Sequence, residues 1–127
     1  MYIQLWYDYI IEIEMEVLVM IIAVDFDGTL CRECYPEVGV PNMKLINFLI
    51  NRRVLGDKLI LWTCREDKML EDAIKWCRQL GLEFDAVNDN LPETIALWGN
   101  NSRKITADLY IDDHSEKPWT ELLQRVC

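Results

Sequence analysis

The stretch Ile21-Ile22-Ala23-Val24-Asp25-Phe26-Asp27-Gly28-Thr29-Leu30 constrains this chain more than any other. Its apolar run, two Ile and one Val among four residues, predicts a buried strand. The run ends at two carboxylates two positions apart, followed by Gly28 and Thr29. Acids at the carboxyl end of a central strand stand where open α/β sheets gather their ligands. Gly28 permits the tight turn that aims both acids at one point. A strand running into an ordinary polar turn uses the same residue types, so the rest of the chain has to decide.

Beyond Leu30, Cys31 to Val40 reads as a short irregular loop or hairpin over the site. Pro41-Asn42 opens a helix with Leu45, Ile46, Leu49 and Ile50 as its apolar stripe, stopped by Gly56. Lys58 to Trp62 is a second buried strand, ending in Thr63-Cys64-Arg65. Glu66 to Leu80 is strongly helical, with Met69, Leu70, Ala73, Ile74, Cys77 and Leu80 on one face and Gly81 as the stop. Glu83 to Val87 is a short third strand, Asn88-Asp89-Asn90 a polar turn, and Pro92 to Trp98 a short helix closed by Gly99. Thr106 to Ile111 leads into a fourth strand ending at Asp112-Asp113, and Pro118 to Val126 makes a closing helix. Strands alternating with helices predict a three-layer, Rossmann-like α/β domain around a mainly parallel sheet.

Residues 1–20 carry a different pattern. Ile11, Ile13, Met15 and Val17 alternate with Glu12, Glu14 and Glu16, the period of a half-exposed strand. The segment is an N-terminal extension or extra edge strand, and Met20 is a second candidate start. Its acids argue against a signal peptide or a membrane span. Trp6, Tyr7 and Ile10 are candidates for a homo-oligomer contact.

At 127 residues the chain is one domain with room for a core, and 51% hydrophobic residues exclude overall disorder. A formal charge of −9 argues against nucleic acid or an anionic membrane as a general partner. It leaves a phosphorylated substrate open, because a metal ion reverses the sign of a local site. Five cysteines, an odd number, point to a reducing, cytoplasmic setting. Cys31-x-x-Cys34 lacks the second ligand pair that structural zinc needs and any thioredoxin-like context for a redox dithiol.

The run Asp25-Phe26-Asp27-Gly28-Thr29-Leu30 resembles the first signature of the haloacid dehalogenase (HAD) superfamily in its phosphatase form. Leu59-Ile60-Leu61-Trp62-Thr63 is similar to the second signature, a strand ending in Thr or Ser. Leu109-Tyr110-Ile111-Asp112-Asp113 is similar to the fourth, a strand ending in two acids. The third is a basic residue between them, for which Lys104 is preferred over Arg103, although Lys104 lies nearer to Asp112 than the family's usual spacing. The order also separates the chain from phospho-receiver domains, whose acidic pair follows the first strand and whose Lys comes last.

This resemblance covers residues 21–113 and makes 21–127 a HAD-like phosphatase domain. With 31–40 and 104–112 both too short for a folded insertion, it implies the class without a cap domain. It implies a Mg²⁺-dependent phosphomonoesterase in which Asp25 is the nucleophile and Asp27 the general acid and base. Asp25, the backbone carbonyl of Asp27, Asp112 and, through water or as a support, Asp113 hold the metal. Thr63 and Lys104 orient the phosphoryl group. Thr63 also suits a helix N-cap. Arg65 is a further phosphate candidate, or an exposed residue of a first helical turn. His114 reads as solvent-facing, and Trp62 and Tyr110 as core or sheet-face residues. The alternative function is a non-catalytic HAD-like module that binds a phosphorylated ligand or a protein partner.

Overall fold

A computed structural model describes residues 3–6, 19–102 and 104–114. The alternating segment at 11–17, the helix expected over 118–126, Tyr7, Ile10 and Arg103 lie outside the described residues. Residues 3–6 form one exposed helical turn.

The domain proper contains β1 (Ile21–Val24), α1 (Met43–Val54), β2 (Lys58–Leu61), α2 (Asp67–Gln79), β3 (Ala86–Val87), α3 (Pro92–Trp98) and β4 (Leu109–Ile111). All three strand pairs are parallel, and the sheet order is β3-β2-β1-β4. This mainly parallel sheet, flanked by helices, is a Rossmann-like architecture compatible with HAD-like topology. Among the described residues there is no separate cap domain. No helix among them is long and apolar enough to cross a membrane.

The pleat divides the core in two. Ile22, Val24, Leu59, Leu61 and Ile111 pack against Leu45, Ile46 and Leu49 of α1 and Ala73 and Cys77 of α2. Ala23 and Ile60 face the other way, against Leu91 and Ile105, with Tyr110 beside them. Met69, expected on the buried face of α2, is 39% exposed. The caps follow the sequence signals: Asn42 caps α1, accepting from the Leu45 N–H at 3.3 Å, and Gly99 closes α3 at φ 72°.

The last two strands are shorter than expected. Asp85 turns its carboxylate onto the Leu59 N–H at 2.9 Å before β3 begins. The Thr106 N–H goes to Asn90 Oδ1 at 2.7 Å and the Ala107 N–H to the Tyr110 hydroxyl at 3.1 Å. Side chains have claimed the backbone donors that a longer β4 would have given to the ladder.

Candidate active site

The register of the sheet decides which side chains meet. Val24 pairs with Leu61 and with Ile111, and Leu61 pairs with Val87. The next residue on each strand therefore leaves the sheet at the same level. Across the carboxyl edge these are Asn88, Trp62, Asp25 and Asp112, about 4.8 Å apart from strand to strand. All four line one cavity of about 450 Å³, together with Thr63, Cys64, Ile105 and Asp113.

Asp25 is anchored by its N–H on Ile111 O at 2.9 Å. Burial pushes its carboxyl up to about 6, against a hydrogen bond from the Phe26 backbone that favours the charged form; Asp113, Asp27 and Asp112 then add repulsion in that order. After Asp25 the chain turns tightly, and Phe26 O accepts from the N–H groups of Thr29 and Leu30 at 3.2 and 2.9 Å. Gly28 sits at φ 79°, and a Cβ there would meet Asp113 Cβ at 3.4 Å. Glycine thus supplies both the left-handed turn and the close approach of the two acidic segments.

A second cavity of about 430 Å³ shares Asp25, Thr63 and Cys64 with the first and is otherwise lined by Asp27, Glu33, Tyr35 and Arg65. Arg65 fills the role neither sequence reading gave it. It is 2% exposed. Its Nε and Nη2 donate to the two oxygens of Asp27, both at 2.8 Å. Nη1 and Nη2 also donate to Pro36 O and Glu37 O, at 3.2 and 2.8 Å. The guanidinium lies 4.9 Å from the Phe26 ring centre and 5.1 Å from that of Tyr35. Arg65 therefore ties the loop over the site to Asp27, and its donors are largely used within the chain.

Thr63 Oγ1 accepts from the Arg65 N–H at 3.1 Å, which leaves its own hydroxyl hydrogen to donate. It is not the N-cap of α2, a place taken by Glu66. Lys104 is exposed and lines neither cavity, although its neighbour Ile105 lines the first. His114 has a side chain 90% exposed, as expected; its N–H donates to Asp112 Oδ1 at 2.9 Å. Cys31 is a buried thiol pushed up to about 11 by burial. Cys34 is disulfide-bonded, so the two do not act as a pair, and it departs from the expectation of reduced cysteines. Among the described residues no three Asp, Glu, His or Cys side chains are drawn together as a ready metal cage.

No family model matches the chain, and no curated protein does. A solved structure does: a conserved protein from Bacteroides thetaiotaomicron, 41% identical, with a TM-score of 0.70 over 80% of this chain and 84% of that one. The chain belongs to the family of that Bacteroides protein. Besides Arg65, three parts of the site escape sequence reasoning.

Trp62, expected in the sheet or core, is 42% exposed in the cavity wall, because β2 ends at Leu61. Its ring meets Tyr110 edge to face, 5.8 Å between centres. Asn88 holds φ 50° while its Oδ1 accepts from the Thr63 N–H at 2.8 Å. Asn is one of the few residues that tolerate this conformation, so Asn88-Asp89-Asn90 carried a signal that a plain turn reading passes over. Asn90, 3% exposed, donates to Asn101 Oδ1, Ser102 O and Lys104 O and so fixes the segment that brings Ile105 to the wall.

Proposed function

We propose that the chain is a Mg²⁺-dependent phosphomonoester hydrolase of HAD type that works through a phosphoaspartate on Asp25. One observation carries the reading: Asp25 and Asp112 leave adjacent parallel strands at the same level, with Asp113 packed against Gly28. Carboxylates crowded in this way call for a cation.

The donor set fits Mg²⁺, a hard ion that takes one or two carboxylates and completes its shell with water and substrate oxygens. Asp25, Asp112 and the Asp27 backbone carbonyl would hold it, with Asp113 through water or in support. Bound there, the ion offsets charge on the phosphoryl group. Asp25 attacks phosphorus, the ester oxygen leaves with the bonding pair, and water later splits the phosphoaspartate to free phosphate and regenerate the carboxylate. Asp27 delivers a proton to the leaving oxygen and takes one from that water. Its carboxylate is oriented by Arg65, and giving up one of their two bonds frees an oxygen for this work. The Thr63 hydroxyl donates to a phosphoryl oxygen, and Lys104, which lines neither cavity, would have to swing in from the segment before β4 to join it. Arg65 positions Asp27 in place of binding phosphate.

The test is hydrolysis of an aryl phosphate with Mg²⁺ and with chelator. Turnover should require the metal and fall at least about 1,000-fold in Asp25→Asn, whose circular dichroism matches the parent. Full activity in that variant, or none in the parent across a broad ester panel, would overturn the reading.

A further inference from the structure

We infer that the Trp62 cavity is a subsite for a planar ring on the substrate, so that the preferred esters are ring-bearing phosphomonoesters such as nucleoside monophosphates. The inference rests on the hydrolase reading above and adds the substrate class.

The two cavities meet at Asp25, Thr63 and Cys64, which places a phosphoryl group at their junction. The second cavity is furnished by the chain itself: Arg65 is engaged by Asp27, Pro36 and Glu37 and flanked by the rings of Phe26 and Tyr35. In the first, Trp62 is 42% exposed. In the row across the strand ends, Trp62 stands one strand from Asp25, on the side away from Asp112. A group seated over Asp25 has carboxylates on one flank and an indole on the other.

The indole is fixed before any ligand arrives. Tyr110 meets it edge to face, and the Tyr110 hydroxyl is itself tied, donating to Ile105 O and accepting from the Ala107 N–H. A half-exposed ring held this way is a stacking platform with little ordering entropy left to lose. Ile105 supplies an apolar wall. At the outer end Asn88 Oδ1 accepts from the Thr63 N–H, so its amide N–H₂ group is the donor it brings to the cavity. Its left-handed backbone is the kind of strain that collects at ligand sites. A volume of about 450 Å³ suits a small molecule. Asp25, Asp112 and Asp113 border the same space, which disfavours a second anionic group beside them.

The test compares a nucleoside 5′-monophosphate with ribose 5-phosphate in the presence of Mg²⁺. The leaving alcohol is closely matched, and the base is the main difference. The parent should favour the nucleotide at least about tenfold in kcat/KM, mostly through KM. Trp62→Ala should bring the ratio near one, Trp62→Phe should keep most of it, and Trp98→Ala, on the exposed end of α3, should leave it unchanged. Phosphotyrosine as a third ester separates a general ring preference from one for nucleobases. Equal kcat/KM for nucleotide and sugar phosphate, or a ratio indifferent to Trp62→Ala, overturns the subsite and leaves the hydrolase reading intact. Absence of hydrolysis of every ester overturns both.

Discussion

At the amino end of the sheet, Asp57, Asp85 and Asp108 each meet a donor placed to receive them. Asp57, 2% exposed, accepts from the Met20 N–H at 2.8 Å and pairs with Arg52. Asp85 accepts from the Leu59 N–H and has Arg53 at 3.3 Å; Asp108 accepts from the Ile21 N–H at 2.8 Å. At the carboxyl end, Asp25, Asp112 and Asp113 border one cavity, and burial first, then repulsion from the neighbouring acids, raises the Asp25 carboxyl to about 6. The residue type is the same at both ends. Acids at the amino end fasten strands, whereas Asp25, Asp112 and Asp113 at the carboxyl end line the cavity where a ligand would arrive. Stability and chemistry should therefore respond to opposite sets of substitutions.

The widest separation is expected at Asp25. Asp25→Asn should cost at least about 1,000-fold in turnover, roughly 4 kcal/mol of transition-state stabilisation, while urea unfolding shows the variant as stable as the parent or more so. A large loss of stability would place Asp25 with the fastening acids. Arg65→Met comes next, since it leaves the Asp27 carboxylate and two loop carbonyls without their donor; a loss of about 3 kcal/mol is expected, with Arg65→Lys recovering only part. Asp57→Asn should cost about 2 kcal/mol and leave turnover unchanged, because Asp57 sits at the far end of the sheet. Altered turnover there would break the comparison.

The smallest effect is in pH. Because the folded chain holds Asp25 at about 6 against an ordinary 3.8, its neutral form is the one the fold favours. That contribution is full below about pH 4 and is lost as pH rises through about 6. Metal-free protein should lose about 1 kcal/mol over this window, discounted for solvent access to the site. Mg²⁺ or Asp25→Asn should flatten the slope, as thermal unfolding at stepped pH would show.

What was legible in the sequence was local. β1 announces itself by an apolar run, α1 by Asn42 and its stripe, and α3 by Pro92 and Gly99, each signal lying within a few residues of its effect. That Asp25 and Asp112 share a site came only from the likeness to the HAD signatures, and that they stand on neighbouring strands came from the register. What was hidden depends on partners far along the chain. Arg65 finds Asp27 from 38 residues away, and no periodicity reports that. Trp62 looked like a strand residue because alternation does not say where β2 stops. β3 and β4 were overdrawn because Asp85, Asn90 and Tyr110 take backbone groups that propensity assigns to the ladder.

Asp25 is the nucleophile whose carboxylate oxygen bonds phosphorus in the proposed reaction. Rapid acid quench during turnover of a labelled phosphomonoester with Mg²⁺, followed by peptide mass spectrometry, measures this directly. The expected result is one added phosphoryl group on the peptide containing Asp25, absent in Asp25→Asn. A phosphoryl group on another residue, or none at any time during active turnover, would contradict it.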